Sequence, residues 1–395
     1  MLVPKDTMIV KQNRVEGILD FGADKRNDYA NVSRTISDNS GALGRCQKIY
    51  RNFLFGQGMA ESGNFWKAII NPFGLRVDQL LRRIGVEMSI HDGVALHVGY
   101  NVNLDKVSIT PYPFETIRLT NNQDRFGNTE YRYITTVKYH EDWTSSRFKK
   151  DKIKTFNVYN PDKEVIARQI DLAGGIENWN GQMFYYGKDG LIAYPHNKFH
   201  EVMEDAITDI YIKKGKNASA STNFMPSHIM QLPFTFKGNS VMDDDDNGKK
   251  LEKDFKNSIK MFQGYDQAAK IWIVENTSKD ANDKMVPIKF DKLELQNYDK
   301  VFELTEKSCK ENIRDCYLIP EVLFVLGKGF STDEIVNGFN YYNNIMKYDQ
   351  QILEEIFMEL FTGWAYDINP SKNYAITPLQ YMTDKEPVTP EKPTE

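Results

Sequence analysis

Residues 316–343 read CYLIPEVLFVLGKGFSTDEIVNGFNYYN, and this stretch joins two amphipathic helices. The first helix ends before Pro320, because proline lacks a backbone N–H and disfavours a helical residue in front of it. An apolar run comes next, breaks at the Gly-Lys-Gly of residues 327–329 and gives way to a second helix. The stretch therefore predicts a helix, a turn, a glycine-hinged loop and a further helix.

Long helices are predicted on both sides of this connection. The helix before it covers residues 295–316, where apolar and small side chains recur at helical spacing and both charges occupy the other faces. The helix after it covers residues 333–361. An earlier helix at 196–214 has its apolar residues on one face and is followed by Gly215, a predicted helix stop.

A small insert separates the first two of these long helices along the chain. It holds an acidic run, a predicted helix at 249–263 and two predicted strands at 268–275 and 285–290. Two long helices that bracket a short insert pack most simply as an antiparallel pair, with the insert at the far end. The glycine-hinged connection is then expected at the opposite end of the pair.

Residues 1–194 are predicted to form one α+β domain. Two helices, at 42–59 and 75–90, come first, and strands follow them. Residues 129–193 are β-rich, since short runs of aromatic or β-branched side chains alternate there with turn residues. The run EVIARQI at 164–170 is interpreted as one of these strands.

The composition limits the class of protein. The chain has 395 residues, 41% of them hydrophobic and 12% aromatic, which is enough for a packed core and excludes a disordered chain. A formal net charge of −5 argues against tight nucleic-acid binding through an extended basic face, but not against DNA passing a surface that holds it weakly.

Cysteine usage and hydropathy predict the compartment. Three cysteines supply neither a disulfide framework nor a metal-ligand spacing, so a reducing compartment is expected. No signal-peptide pattern stands at the start, and no apolar run reaches the roughly 18 residues that a membrane span needs. No membrane partner is therefore expected.

Two ligand-binding motifs are incomplete. The Gly-Lys at 327–328 resembles the end of a phosphate-binding loop, but Val322 stands where the first glycine belongs and Gly329 replaces the final Ser or Thr. The acidic run 243–248 partly matches a calcium-binding loop, but Lys250 stands where an apolar residue normally packs. An acidic helix cap is the preferred interpretation of that run.

A third pattern leaves an enzyme open as an alternative. His200-Glu201-x-x-Glu204 lacks the second histidine of a zinc-binding helix, although Asp209 follows on the same predicted helix. A His–carboxylate site on helix 196–214 is the hypothesis that these residues allow. A solvated helix face, with acids in the first turns favoured by the helix dipole, is the plainer interpretation.

The order of elements in the second half resembles that of the portal proteins of tailed bacteriophages. The residues that carry the resemblance are IPEVL at 319–323, directly after a mixed-charge helix, and GFNYYNN at 338–344. In addition, YPFETIRL at 112–119 resembles a portal strand, and GKDG at 187–190 resembles the approach to the first stem helix. The resemblance covers roughly residues 75–362.

This resemblance implies an α+β, non-enzymatic subunit of a twelve-membered ring around a DNA channel, with an α/β wing, a two-helix stem, a small β-containing clip and a long C-terminal helix. The implied regions are a wing (1–194), a first stem helix (195–215), a clip (216–293), a second stem helix (294–316), a tunnel loop (317–333), a long wing or crown helix (334–362) and a short C-terminal segment with a disordered tail (363–395). Little chain remains after the long helix, so no substantial helical crown is expected.

The resemblance also implies partners and a location. The partners are double-stranded DNA, the terminase large subunit, and capsid and head–tail connector proteins. The location is the portal vertex of the virion, with the host cytoplasm during assembly. No cofactor, metal or catalytic residue is implied. Another virion component, such as a neck or baseplate protein, stays an alternative.

Three groups of residues are candidates for these roles. The candidate tip of the tunnel loop is Val325, Leu326, Gly327, Lys328, Gly329 and Phe330. The candidate channel lining of the stem is Glu303, Lys307, Lys310 and Arg314. The candidate docking surface of the clip is Asp243, Asp244, Asp245 and Asp246. A mixed-charge lining suits sliding DNA, because a continuous basic wall would hold the phosphates. Core burial is the favoured interpretation for Leu323, Phe324 and Leu326, and a plain solvated loop is an equal alternative for the aspartates.

Overall fold

A computed structural model of the chain describes residues 21, 28–59, 64–119, 122–123, 129–130, 133–136, 154–188, 194–221, 229–232, 272–275, 298–325 and 329–381. The helices are α1 (Tyr29–Asn39), α2 (Gly41–Phe55), α3 (Val77–His91), α4 (Lys163–Ala173), α5 (Met203–Ser221), α6 (Tyr298–Cys316), α7 (Glu321–Phe324) and α8 (Thr332–Phe361). The strands are β1 (Gly93–Tyr100), β2 (Lys106–Pro111), β3 (Ile117–Leu119), β4 (Asn122–Gln123), β5 (Thr129–Glu130), β6 (Tyr133–Thr136), β7 (Lys154–Val158), β8 (Gln182–Gly187), β9 (Ile229–Leu232) and β10 (Trp272–Glu275). The mixture confirms the predicted α+β class.

The chain divides into two compact units. The first combines Met1–Glu204 with Asn312–Glu395, and the second is Asp205–Glu311. The boundaries fall inside α5 and α6, so each of these helices contributes residues to both units. Among the described residues, no helix is both long and apolar enough to cross a bilayer.

A mixed sheet lies in the first unit, with its described strands in the order β2-β1-β8-β7-β6-β3. Neighbouring strands are antiparallel except β7 and β8, which run parallel. Parallel neighbours need a crossover connection, usually a helix. Here α4 supplies that crossover between β7 and β8.

The prediction of a strand at 164–170 is wrong, because these residues lie in α4. The local signals favour the helix at both ends. The side chain of Asp162 accepts a hydrogen bond from the Glu164 N–H at 2.9 Å, and Gly174 ends the helix with a left-handed φ of 80°. Ile166 is buried on the inner face, so helical spacing explains the β-branched residues that suggested a strand.

Two packed regions form the core of the first unit. One cluster joins the sheet to its flanking segments through Phe21, Ala30, Ala95, Phe114, Ile117, Leu119, Phe156, Met183 and Tyr194. The other lies along the inner face of α8, which buries Tyr342, Met346, Leu353 and Phe357 at i, i+4, i+11 and i+15. This spacing matches the apolar stripe of an amphipathic helix.

Several boundaries differ from the prediction. Gly215 does not stop α5, which continues to Ser221, because Gly215 lacks the left-handed φ that a terminating glycine adopts. The apolar run after Pro320 contains the short helix α7, and proline is well suited to precede a first helical turn. Helix α1 and strand β9 were not predicted from the sequence.

The second unit holds parts of α5 and α6 and a two-stranded parallel pair. Strand β10 runs beside β9, with Trp272 opposite Ile229, and it falls inside the predicted strand 268–275. The predicted helix 249–263, the predicted strand 285–290, the aspartates at 243–246 and the C-terminal tail lie outside the described residues.

Candidate functional site

Within the second unit, α5 and α6 contact each other through side chains. Lys216 of α5 forms an ion pair with Glu306 of α6, and the thiol of Cys309 donates a hydrogen bond to the carboxylate of Asp205. Moving forward along α5 from Asp205 to Lys216 therefore moves backward along α6, which is the pattern of an antiparallel pair. Burial, with Asp205 close by, raises the pKa of Cys309 to about 11, so its thiol stays protonated in the contact.

Both charges occur on the partly exposed surface of α6. Glu306 receives hydrogen bonds from Lys216 and from Lys310, the latter at 2.6 Å, and these bonds lower its pKa to about 2. Lys307 lies 4.0 Å from Glu311, one helical turn further along α6.

The other candidate residues of the channel lining differ in their exposure to solvent. Glu303 and Lys307 are exposed. In the first unit, Arg314 is partly buried and lies 2.7 Å from Asp315. Glu306, Lys307, Lys310 and Arg314 thus each lie near a group of opposite charge, and the charges of α6 are of mixed sign rather than continuously basic.

Helix α6 ends in a Schellman motif. Pro320 predicts that the helix ends before it, but not this pattern of hydrogen bonds. The N–H of Ile319 donates to the carbonyl of Arg314 at 3.2 Å, and the N–H of Leu318 donates to that of Asp315 at 2.9 Å. Leu318 has φ 53°, a left-handed conformation usually taken by glycine. Its side chain is 58% exposed. The helix end therefore combines backbone strain with an exposed apolar side chain.

The segment after Pro320 is anchored to α8 by a close approach. A Cβ on Gly338 of α8 would lie 2.3 Å from Cγ1 of Val322, so only glycine fits there without a shift. Phe324 is buried and lies under the guanidinium of Arg45, 4.9 Å from its ring centre. The predicted burial of Phe324 is confirmed, and Leu323 is half-buried.

The described part of the tunnel-loop tip is only partly enclosed. Val325 and Phe330 are half-buried, and Gly329 is exposed with a left-handed φ of 70°. Leu326, Gly327 and Lys328 lie outside the described residues. A capping box then starts α8: the Ser331 hydroxyl accepts from the Glu334 N–H, and Glu334 accepts from the Ser331 N–H at 2.8 Å. The Ser-x-x-Glu spacing was a sequence signal for this start that the prediction did not use.

A buried ionic cluster joins α8 to the rest of the first unit. Asp349 accepts a hydrogen bond from Tyr50 at 2.8 Å and lies 2.9 Å from the ammonium of Lys188 and 3.2 Å from that of Lys198. Lys198 also lies 3.1 Å from Asp92. Burial alone would raise the pKa of Asp349, but Lys198 and Lys188 outweigh it and the pKa lies below its ordinary value. No local pattern predicts this cluster, because its members are far apart in the chain.

A cavity of about 420 Å³ opens beside this cluster. Its lining includes the five cluster residues and, from elsewhere in the first unit, His196, His200, Glu201, Leu318, Ile345 and Tyr348. The lining thus combines charged side chains with apolar side chains from α8 and from Leu318, which follows α6.

Two residues of the alternative His–carboxylate site, His200 and Asp209, contact neighbouring side chains. The Nδ1 atom of His200 lies 2.8 Å from the Tyr29 hydroxyl, and the ring stacks on His196. Burial lowers the pKa of His200, which favours the neutral imidazole. In the second unit, Asp209 is buried and lies 2.7 Å from Lys213. The exposed Glu201 and Glu204 agree with a solvated helix face, whereas the buried Asp209 does not.

Glu87, His91 and Glu115 form a group with metal-ligand chemistry that the sequence did not predict. Their ligand atoms all lie within 4.8 Å of one another. However, Arg34 donates to both oxygens of Glu87, at 2.8 and 2.9 Å, and to Glu115. The guanidinium supplies the positive charge that a metal ion would bring, so the group is interpreted as a buried ionic cluster.

No protein-family model matches the chain, and no curated protein matches it. Among solved structures, the chain is similar to one described as the neck of a native GTA particle computed with C12 symmetry, at 8% identity over 84% of this chain and 81% of that chain, with a TM-score of 0.40. It is also similar to the virion of a native gene transfer agent particle, at 11% identity over 79% and 74%, with a TM-score of 0.35. An HK97-family phage portal protein from Corynebacterium diphtheriae matches at 7% identity over 77% of this chain and 82% of that chain, with a TM-score of 0.33. None of these descriptions names an enzyme.

Proposed function

We propose that the chain is the subunit of a phage portal ring, a non-enzymatic conduit at a capsid vertex through which DNA is packaged and ejected. The observation that carries the proposal is the antiparallel pair of α5 and α6, which brackets an insert and continues from α6 into a glycine-hinged loop. In this proposal the first unit supplies the wing, the helix pair the stem, and residues 216–293 the clip.

The charges of α6 support a channel lining. A wall of unopposed Lys and Arg side chains would bind phosphates and hold the DNA in place. On α6, Lys310 is paired with Glu306, and Lys307 lies near Glu311. Such a surface offers the duplex little net attraction and no fixed register, so DNA can slide along it in either direction.

The glycine-hinged loop is proposed to touch the DNA. Gly329 already has a left-handed φ, and Ile319 and Phe324 are buried at the base of the loop. The base is therefore fixed, and the tip, residues 325–330, is proposed to project toward the lumen. Lys328 is proposed to meet a phosphate, and Phe330 to pack against a neighbouring loop.

The remaining partners belong to the same proposal. The clip is proposed to dock the terminase large subunit during packaging and the neck proteins afterwards, through Asp243 to Asp246. The ring would assemble in the host cytoplasm and remain at the portal vertex of the virion. Twelve copies are proposed, held by heterologous contacts that close on themselves.

Imaging and mass measurement of the full-length chain test this function. Twelve copies of a 45.7-kDa chain give a particle of roughly half a megadalton, with a central hole visible in negative stain. A monomer or small compact oligomer without a hole would contradict the proposal.

A packaging assay tests the loop separately. Lys328→Glu places a like charge opposite the phosphates, so packaged DNA per particle is expected to fall at least several-fold while rings still form. Lys372→Glu, a charge reversal at an exposed position outside the loop, serves as the matched control. Equal packaging by the two variants would show that Lys328 has no phosphate role.

A further inference from the structure

Phe73 is the most exposed large apolar side chain in the described part of the chain, at 86% exposure. Ile69, at the other side of the same turn, is 58% exposed. Leaving such a side chain in water forgoes about 2 kcal/mol of burial free energy. An apolar tip of this kind is a typical contact point for another macromolecule.

The turn that carries Phe73 is held rigidly. Oδ1 of Asn71 accepts hydrogen bonds from the N–H groups of Phe73 at 3.0 Å and of Leu75 at 2.9 Å. Nδ2 of Asn71 donates to the carbonyl of Ile109 at 3.2 Å, and Gly74 supplies the left-handed φ of 79° that the turn requires. Because the turn is already ordered, Phe73 can dock with little further loss of conformational entropy.

A second apolar side chain, that of Leu318, is exposed on a strained backbone. Leu318, at the rim of the 420 Å³ cavity, keeps a left-handed φ of 53° and 58% exposure. Glycine would relieve backbone strain at this position. The leucine therefore keeps a strained backbone in the isolated chain while more than half of its surface stays in water. A partner that covers the cavity would bury it together with Ile345 and Tyr348.

The cavity and the turn complement each other in size and charge. A phenyl ring is much smaller than the cavity, so Phe73 fits with room for part of its turn. Lys67, an exposed base close to the turn in sequence, is complementary to Glu201, an exposed acid of the cavity lining. Since both features belong to one chain, a second copy brings both halves of the contact.

We propose that the Phe73 turn of one copy docks in the Leu318–Tyr348 cavity of the next copy. The contact is heterologous, with a projecting surface on one side of a subunit and a receiving surface on the other, as a closed ring requires. This inference rests on the proposed ring function and names the residues that would join neighbouring subunits.

Photo-cross-linking of the full-length chain tests the contact directly. With p-benzoylphenylalanine at position 73, cross-links are expected between copies, and mass spectrometry should map them to peptides around residues 316–318 and 345–348. Placing the same probe at position 102 or 172 gives matched controls, since Val102 and Leu172 are 84% and 83% exposed. Those probes are expected to give no cross-link to the cavity.

Two substitutions test the energetics. Phe73→Ala is expected to raise the protein concentration needed for assembly at least tenfold, and Val102→Ala to leave it unchanged. Leu318→Gly is expected to weaken assembly similarly while the monomer becomes no less stable, because the strained backbone is relieved. If Leu318 had only a structural role, Leu318→Gly would change assembly and monomer stability together.

The outcomes distinguish the two proposals. A wild-type ring whose position-73 cross-links fall outside the cavity, or whose assembly tolerates both substitutions, overturns this inference and leaves the ring function standing. A wild-type chain that stays monomeric overturns the ring function, and the inference falls with it.

Discussion

Helices α8 and α6 use their polar residues in opposite ways. On α8, Asp349 is buried among Tyr50 and two lysines, and the buried Gln350 donates to the carbonyl of Phe53 at 2.8 Å. On α6, partly exposed charges such as Glu306 and Lys310 pair one helical turn apart. The first arrangement ties distant segments of the chain together, whereas the second covers a surface.

The energies of the two arrangements differ accordingly. A buried charge that loses its partner remains unpaired in a poorly solvated site, which costs several kcal/mol. An exposed pair that breaks is replaced by water at a cost below about 1 kcal/mol. We therefore interpret α8 as the scaffold of the first unit and the charged surface of α6 as one whose charges can be changed without loss of the fold.

The largest expected effect follows from breaking the buried cluster. Asp349→Ala leaves Lys188 and Lys198 without a shared carboxylate, so the free energy of unfolding should fall by about 3–5 kcal/mol in chemical denaturation. Asp367→Ala, at an exposed position, is the control and should change stability little. A loss below about 1 kcal/mol for Asp349→Ala would remove the distinction between the two helices.

The close approach of α7 to α8 gives the next effect. Gly338→Ala adds a Cβ that collides with Val322, and a destabilisation of about 1–2 kcal/mol is expected after the gain in helix propensity is subtracted. The double variant Gly338→Ala with Val322→Ala should recover part of that loss, since the colliding methyl is gone. Additive effects in this double-mutant cycle would mean that the two side chains do not meet.

The buried carboxylate of Glu115 gives a test based on the pH dependence of stability. Burial alone would raise the pKa of Glu115, but His91 and Arg34 outweigh it and lower the pKa to about 2, from an ordinary value of 4.5. Its contribution to stability is therefore present above pH 4.5 and is lost as the pH falls from there toward 2. Glu115→Gln should flatten the acid-side decline in unfolding free energy, and the exposed Glu355→Gln should not. Parallel declines for both variants would contradict the assignment.

The smallest effect is expected on the face of α6. The pKa of Glu306 is also lowered to about 2, but its two lysine partners are largely exposed and screened by solvent. Glu306→Gln should therefore cost no more than about 1 kcal/mol in denaturation at neutral pH, and less at high salt. A loss as large as that of Asp349→Ala would mean that the charges of α6 stabilise the fold as those around Asp349 do.

Long periodic helices and their connections could be predicted from the sequence. The apolar repeats of α6 and α8, the break at Pro320 and the α+β class all follow from local patterns. Residues 164–170 were misassigned because β-branched side chains fit both a strand and a helix, and the caps at Asp162 and Gly174 decided between them. Gly215 was misassigned because a helix tolerates a glycine that keeps a helical φ.

Contacts between distant segments could not be predicted in this way. Nothing local relates Tyr50 to Asp349, or Arg34 to Glu115, since such pairs depend on how the helices pack. The close approach of Gly338 to Val322 and the left-handed Leu318 likewise appear only in three dimensions. The candidate channel residues were predicted as a charge pattern, and their role as a lining stays a prediction.

The central claim is that α6 lines a hole shared by the copies of a ring. Electron cryo-microscopy of the full-length assembly, at a resolution that traces side chains, measures this directly. We predict that Glu303, Lys307 and Lys310 face the lumen and that residues 325–330 form its narrowest part. A ring whose hole is lined by α8 or by the sheet, or a chain that forms no ring, would contradict it.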